Sequence, residues 1–461
     1  MSTEDEPDVS HHFAEWAARI QLPDLDDRAR QAAKMSILDT IGVALAARTS
    51  EPAVRTISEL VRDDGGRPES LIWGSDDRVP AAAAAFANGA MAHGLDYDDQ
   101  TPWGQHASSS VVPTALALAE RRGEVSGADL IAAVAVGQDV FARLRCHVGW
   151  RKDWNLSSVL GVYAATAAGA RVLGLSAEQV EHALGIASQQ SAGIMEVVAG
   201  TGSDLRGTYA GFAARGAATA VLLAERGLSG VEQLFEGPVG VFATYFGGHY
   251  DRAAMLADLG HDLLGASTLY KLWPAVGTSH SHIHAMLELL REHDLTHEDL
   301  AEIRVSVGDY HRLMCTPLAV RQAPTTLVDA KFSLPFLVAL AAVHQTVAVE
   351  HFTDAGLQDT RVRAVAQRVV PIDDARLDWN LELPPGRVDV TTLDGRTFGR
   401  VGSHYPGSAE RPVTWPELEE KFRRCAPAQS PGQHERVEAF IELIRNLESV
   451  TDVAILGGRL S

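Results

Sequence analysis

Cysteine is almost missing from this chain: three residues in 461, Cys146, Cys315 and Cys425, stand far apart with no CxxC pair. That argues against a disulfide framework, a cysteine-rich zinc knuckle or a four-cysteine iron–sulfur cluster. Basic charge is scarce too, with 40 Lys and Arg against 60 Asp and Glu and a net charge of −20. The basic residues gather only into short runs such as "RKDW" and "KFRR". A phosphate backbone would be repelled and no nucleic-acid partner is expected, although a small cationic pocket fits the same balance. No uninterrupted apolar run reaches bilayer length, and the acidic opening "MSTEDEPD" has no apolar stretch behind a basic leader. The expectation is a cytoplasmic protein with no membrane partner.

Cofactor fingerprints are equally sparse. "VAGTGSDLRG" offers Gly200 and Gly202 but neither a third glycine at the right spacing nor a preceding strand. There is no Walker loop, no G-x-S-x-G elbow and no HExxH, so no cofactor is expected. The cluster "SHSHIHA" puts His280 and His284 on one helical face and His282 on another, with no carboxylate nearby to complete a ligand set. A polar pocket wall or structural histidines explain it better than a metal, and no metal is expected.

What is present is a large core, 46% hydrophobic and 22% charged, ample for more than one domain. From about Phe13 to Leu264 the chain is Ala-rich and helix-like, as in "PAAAAAFANGAMAHG" and "SVLGVYAATAAGARVLGL". Several helices end on Gly, and "LSAEQVEHALG" opens with Ser176 answered by Gln179. Strand-like alternation comes later: "AEIRVSVGD", "VRAVAQRVVPI" and "RVDVTTLDGRTFGRV", the last joined at Asp394-Gly395 as a two-residue hairpin turn. "SHIHAMLELLREH" and "FSLPFLVALAAVHQ" are helices between them. The fold class expected is mainly α: a large all-helical domain over 1–265, a smaller α+β domain over 266–405, and C-terminal helices over 406–461 returning to the helical domain. The Pro/Gly/Ser stretch at 426–432 is expected to be a loop.

The segment "NGAMAHGLDYDDQTPWGQHASSSVVPTALALAE" raises the functional question. A helix ending at His93 leaves Asp96, Asp98 and Asp99 just past its C-terminus, where the helix dipole disfavours negative charge. His106 follows, a few residues before the next helix. A solvated acidic bend is one reading. The other is a proton-transfer set in which a carboxylate fixes an imidazole. In that reading Asp96 orients His106, while Asp98 leaves the face used by Asp96, so that Asp98→Asn is the milder change.

This segment, with "SVLGVYAATAAGARVLGLSAEQVEHALGIASQQSAG", "KLWPAVGTSHSHI" and "DAKFSLPFLVA", resembles the MmgE/PrpD family, in the family's order and through almost the whole chain. That family includes 2-methylcitrate dehydratases, cis-aconitate decarboxylases and iminodisuccinate epimerases. The resemblance implies a homodimer with a metal- and cofactor-free cleft between two domains, acting on a small di- or tricarboxylate. It implies catalytic roles for Asp96, His106, Lys271 and His280, and places Arg206, Asn155, Gln100 and His93 in substrate binding. Arg206 and Lys271 would clamp carboxylates, while His106 moves a proton alpha to one of them. The bland alternatives are that Lys271 marks a domain boundary, Arg206 pairs with Asp204 or Asp139, Asn155 caps the next helix, and His93 and Asp99 are framework. Against the decarboxylase pattern, Gln100 replaces threonine, Asn155 and Val276 replace histidines, Arg206 replaces lysine and Phe336 replaces tyrosine. The reaction expected is therefore dehydration, with an epimerase using His280 as second acid–base group as the alternative and a decarboxylase behind it.

Overall fold

A computed structural model of the chain describes residues 6–426 and 430–459. The expected mainly helical architecture with a smaller sheet-containing part is what forms. At its centre lie the helices Ala81–His93, Ser108–Arg122, Gly127–Cys146, Leu156–Leu173 and Leu205–Glu225. The first four are apolar and buried nearly all round, while Leu205–Glu225 keeps one exposed stripe through Phe212, Arg215 and Thr219. Small residues set the spacing. A Cβ on Gly211 would stand 2.5 Å from the Phe86 carbonyl oxygen, and one on Gly89 only 3.0 Å from Gly211 Cα. The helices Ala81–His93 and Leu205–Glu225 therefore cross with their backbones in contact, which fixes where the first of them ends.

Helix Leu156–Leu173 is the one helix among the described residues long and apolar enough to cross a bilayer, and it is buried inside the protein. Ser176 and Gln179 form the expected reciprocal cap of the helix Ala177–Ala187. One departure from an all-helical domain is a short antiparallel pair, β1 (Ser70–Leu71) and β2 (Arg78–Val79). The larger core gathers apolar residues from Val9 to Tyr270 and again from Val413 to Leu456. The later set comes from helices such as Trp415–Cys425, whose Phe422 ring lies where Gly42 has no side chain. Pro431 and Gly432, expected in a loop, instead open the helix Pro431–Arg445 behind a Ser430 cap; of that loop, 427–429 lie outside the described residues.

The smaller core runs from Trp273 to Val390. Its sheet has strands β3 (Leu300–Val307), β4 (Val369–Asp373), β5 (Arg387–Thr392) and β6 (Thr397–Val401), in the order β4-β3-β5-β6 with only β3 and β4 parallel. Ile303, Val305 and Val307 alternate inward toward the helices His280–Glu292 and Leu334–His344. Two expectations need correction here. "VRAVAQRVVPI" is strand only in its second half. Asp359 caps a helix over Thr360–Ala366 that buries Val362, Val365 and Ala366 at helical spacing. The hairpin loop is longer than two residues: Thr392 N–H donates to Arg396 O, and only Gly395, not Asp394, takes positive φ. A type I′ turn needs both central residues there, so a three-residue loop with a glycine bulge forms instead.

The backbone contact at Gly211 generates a stability prediction. Gly211→Ala should cost about 1–3 kcal/mol, the usual range for overpacking, read as a lowered urea midpoint. Gly432→Ala, with open space around its Cα, should be neutral or stabilising.

Candidate active site

The helix Ala81–His93 runs into a turn in which Asp96 adopts a left-handed backbone, φ +48°. The carbonyls of this turn are met by three buried ammonium groups. Lys331 Nζ lies 3.0 Å from Gly94 O, Lys271 Nζ 2.8 Å from Asp96 O, and Lys421 Nζ 2.6 Å from Tyr97 O. Each lysine also pairs with an acid: Glu51, the Asp96 carboxylate and Asp39 respectively. These cations answer the helix-dipole objection raised by the sequence, because they supply positive charge where the helix C-terminus and the acids need it. Asp96, Asp98 and Asp99 are all buried, so the segment is not a solvated bend.

Within the turn, His106 Nδ1 lies 2.6 Å from the Asp99 carbonyl oxygen and 3.2 Å from Asp98 Oδ2. Nδ1–H therefore donates, leaving the Nε2 lone pair on the side of Asp96, whose Oδ1 is 3.6 Å away. Both Asp98 oxygens lie 3.0 Å from His93 Nδ1, and the two imidazoles stack edge to face at 4.6 Å. Asp98 is thus the carboxylate that fixes His106. The expectation that Asp96 does so, with Asp98 turned away, is corrected: at 3.6 Å Asp96 is an ionic neighbour, beyond hydrogen-bond reach.

Burial works against ionising Asp98, yet the charges of His106 and His93 hold it well below the usual carboxylate range. Asp96 is likewise opposed by burial and drawn down, chiefly by Lys271, to about 2. Asp99 is pushed up to about 7 by burial and by the Asp98 charge. It accepts from Ser108 N and Oγ at 3.2 and 2.7 Å, anchoring the next helix. Framework is its role.

A pocket opens in front of His106, between the two cores. Of the residues singled out from sequence, Asp96, Gln100, His106, Asn155 and Arg206 line it, as does Val276. Arg206 is buried with its guanidinium 3.3 Å from the centre of the Phe332 ring. It donates through Nη1 to Val198 O, and its Nε has no hydrogen-bond partner. Burial lowers it to about 10, so it keeps its charge at neutral pH. It forms no ion pair with Asp204 or Asp139; the latter holds Arg143 at 2.6 Å. Asn155 caps the next helix, its Oδ1 accepting from Ser157 N at 3.1 Å, and it also lines the pocket, where its buried Nδ2 has no partner. Gln100 is held by a main-chain bridge to Leu269, its side-chain amide pressed against Gly277.

Three expected site residues do not reach the wall. Lys271 is fully buried on Asp96 and cannot also clamp a carboxylate. His93 stands behind His106, in contact with Tyr209, with Nε2 unpartnered. His280 is buried with Nε2 3.1 Å from Ala275 O, and burial with the nearby Lys271 charge drives it down to about 3. The histidine cluster also disperses: His282 meets Ser306 O at 2.9 Å, and His284 is half-buried elsewhere. Phe336 is core, away from the pocket. No local pattern marks Trp150, Ser157, Tyr209, Tyr310 and Trp379, which join the wall from separate loops and helices.

Among the described residues, the donors of His93, Asp96, Asp98 and His106 lie within 4.8 Å of one another, a conceivable metal set. Its carboxylates are engaged, Asp96 by Lys271 and Asp98 by Nδ1 of both imidazoles, while the two Nε2 atoms are uncommitted.

The recessed histidines predict an acid limb of stability. Burial lowers His280, His282 and His311 to about 3, 4 and 3, against about 6.5 when unfolded. Below pH 6.5 the unfolded chain takes up protons that the folded chain refuses. Their contribution is therefore complete above pH 6.5 and is lost as pH falls toward 4. His280→Asn should flatten this slope in denaturation measured between pH 7 and 4. Comparing variant with parent separates it from Asp39 and Asp99, raised to about 6 and about 7, which act in the opposite sense.

Comparison with known proteins agrees with this architecture. The MmgE/PrpD N-terminal domain matches residues 11–253 and the MmgE/PrpD C-terminal domain residues 273–448. Human cis-aconitate decarboxylase is 27% identical, covering 97% of this chain and 93% of its own. An Aspergillus terreus cis-aconitate decarboxylase is 26% identical over 97% of this chain and 95% of its own. The Salmonella typhimurium 2-methylcitrate dehydratase is 23% identical over 95% of both chains. With both family domains matched in sequence order and meeting at a pocket built around Asp96 and His106, the chain belongs to the MmgE/PrpD family.

Proposed function

We propose that this chain is a cofactor-independent lyase that removes a proton alpha to a carboxylate and eliminates water from a small hydroxy di- or tricarboxylate. The observation that carries this reading is that His106 is, among the described residues, the single imidazole on the pocket wall. Its Nε2 lone pair takes the proton, Asp98 supports the imidazolium that forms, and Arg206 takes a substrate carboxylate and the enolate charge that develops on it. The β-carbon–oxygen bond then breaks, and His106 hands its proton to the departing hydroxide, releasing water and the alkene. Asn155 Nδ2 and Gln100 orient the remaining polar groups. Lys271 acts through Asp96 rather than on the substrate.

Epimerisation needs a second acid–base group across the substrate plane. His280 is recessed from the pocket and held neutral, which counts against that alternative. Where the decarboxylase pattern has histidines, the wall carries Asn155 and Val276, neither of which titrates. Decarboxylation is nonetheless the second reading, supported by relatives named cis-aconitate decarboxylase at 25–27% identity beside 2-methylcitrate dehydratases at 22–24%. Cofactor independence is supported by the engagement of the two carboxylates of the metal-type set, Asp96 with Lys271 and Asp98 with both imidazoles.

Three outcomes test the reading. Proton NMR in heavy water, with a panel of hydroxy polycarboxylates including 2-methylcitrate, should show a new alkene without release of carbon dioxide, read as a vinyl proton or, where the alkene carries no hydrogen, as a methyl doublet replaced by a downfield singlet. Exchange of the alpha hydrogen alone, or carbon dioxide release, would sink the dehydratase. His106→Gln should remove nearly all turnover while the fold survives. Asp98→Asn should cost on the order of 100-fold or more, and the double variant should be scarcely worse, because the two groups act as one unit. Multiplicative losses would separate them. Activity should also survive prolonged chelation; loss on removing a bound ion, with recovery on its return, would overturn cofactor independence.

A further inference from the structure

Part of the pocket wall is far more apolar than a binding site for polycarboxylates needs. Trp150, Met195, Val198, Tyr310, Trp379 and Leu383 all face the pocket. Val198, Tyr310 and Trp379 form a small buried cluster of their own, on which Met195, Leu383 and Trp150 pack, Trp150 also packing against the larger core. The rings interlock edge to face, Trp150 to Trp379 at 5.1 Å and Tyr310 to Trp379 at 4.7 Å. Both indole N–H groups are spent on backbone carbonyls, Trp150 on Trp154 O at 2.9 Å and Trp379 on Leu381 O at 3.0 Å. The indoles therefore offer a ligand only carbon surface. Gly104, at φ +77°, makes room for this wall, since a Cβ there would stand 2.2 Å from the Trp379 ring.

Charge on the wall is limited in the complementary way. Arg206 is its one lysine or arginine among the described residues. Lys271 is taken by Asp96. Arg145 is buried behind the indoles, 5.4 and 5.9 Å from their ring centres, and donates to Gln105 and to Trp103 O. One carboxylate can meet Arg206, and a second can meet the neutral amides of Asn155 and Gln100. A third would find Asp96, the indole surface or neutral groups such as Ser157 and Thr278, with no cation to offset its desolvation.

We propose that the site is built for a dicarboxylate carrying an apolar alkyl or aryl arm, which lies on the Trp150–Trp379 wall, in preference to a citrate-like tricarboxylate. The inference rests on the pocket being the substrate site of the proposed lyase, and it narrows the substrate class. Contact between a planar arm and the indoles supplies affinity without a polar partner, as aromatic surfaces generally do.

Calorimetric titration with four inert analogues tests it: succinate, propylsuccinate, benzylsuccinate and tricarballylate. None carries a leaving hydroxyl, so the affinities are independent of whether the reaction is elimination. Benzylsuccinate should bind at least tenfold tighter than succinate, with propylsuccinate between them and tricarballylate no tighter than succinate. Trp379→Ala and Trp150→Ala should erase the gain from the arm while succinate affinity changes less than twofold. Met195→Arg, which adds a cation at a half-buried wall position, should reverse the preference toward tricarballylate and carries the test if the tryptophan variants do not fold. Tighter binding of tricarballylate by the parent protein, equal binding of succinate and benzylsuccinate, a gain that persists in both tryptophan variants, or no binding of any analogue would each overturn the proposal. A cluster serving only to join the two cores would lower thermal stability on substitution and leave the order of affinities unchanged.

Discussion

Three lysine side chains converging on the backbone of residues 94–97 hold the active-site turn in place. Lys271, Lys331 and Lys421 come from the connection between the cores, from the smaller core and from a C-terminal helix, and each ends on a carbonyl of that turn. A helix C-terminus followed by three acids would ordinarily be opened to water to relieve its charge. Here the ammonium groups do that inside the protein, so the turn is buried while its carboxylates stay close together. Removing one partner of such a buried pair typically costs about 3–5 kcal/mol. The turn is consequently among the most constrained parts of the molecule, although it belongs to no regular element.

The constraint has chemical consequences. With Lys271 on one side of Asp96 and His106 on the other, Asp96 stays ionised despite complete burial, at about 2. Asp39, paired with Lys421 but close to the Asp98 charge, is left at about 6, with burial the larger influence. Two lysine-paired aspartates in one region thus differ because only one of them also faces imidazoles. His106 gains a defined tautomer from the Asp99 carbonyl and charge support from Asp98. It is held as proton-transfer groups generally need to be, with one nitrogen committed and the other free.

Packing of small residues delivers these groups to the same place. The glycine-mediated crossing of the helices Ala81–His93 and Leu205–Glu225 sets Arg206 and Tyr209 opposite the end of the first helix. The cap at Asn155 brings the start of helix Leu156–Leu173 to the pocket, so one side chain serves both the helix and the wall. The smaller core contributes Val276, and the separate apolar cluster contributes Tyr310 and Trp379. The pocket exists only where the two cores meet.

Much of this was legible in the sequence. Helices apolar on every side announce a bundle, and the alternation in β3 announces a sheet, because periodicity reports which faces are buried. The motif around Asp96 and His106 resembled a known family closely enough to locate the turn, and Arg206, Asn155 and Gln100 with it. Local pattern could not choose between Asp96 and Asp98 as the partner of His106, since a single left-handed residue at Asp96 redirects every side chain after it. Nor could it tell that Lys271 and His280, adjacent to the pocket in the motif, are turned into the interior. The aromatic wall carried no signal at all, because its members lie up to 233 positions apart, from Trp150 to Leu383. Short-range pattern determines which faces are buried, whereas long-range packing decides which buried groups meet, and the chemistry of this site depends on the second.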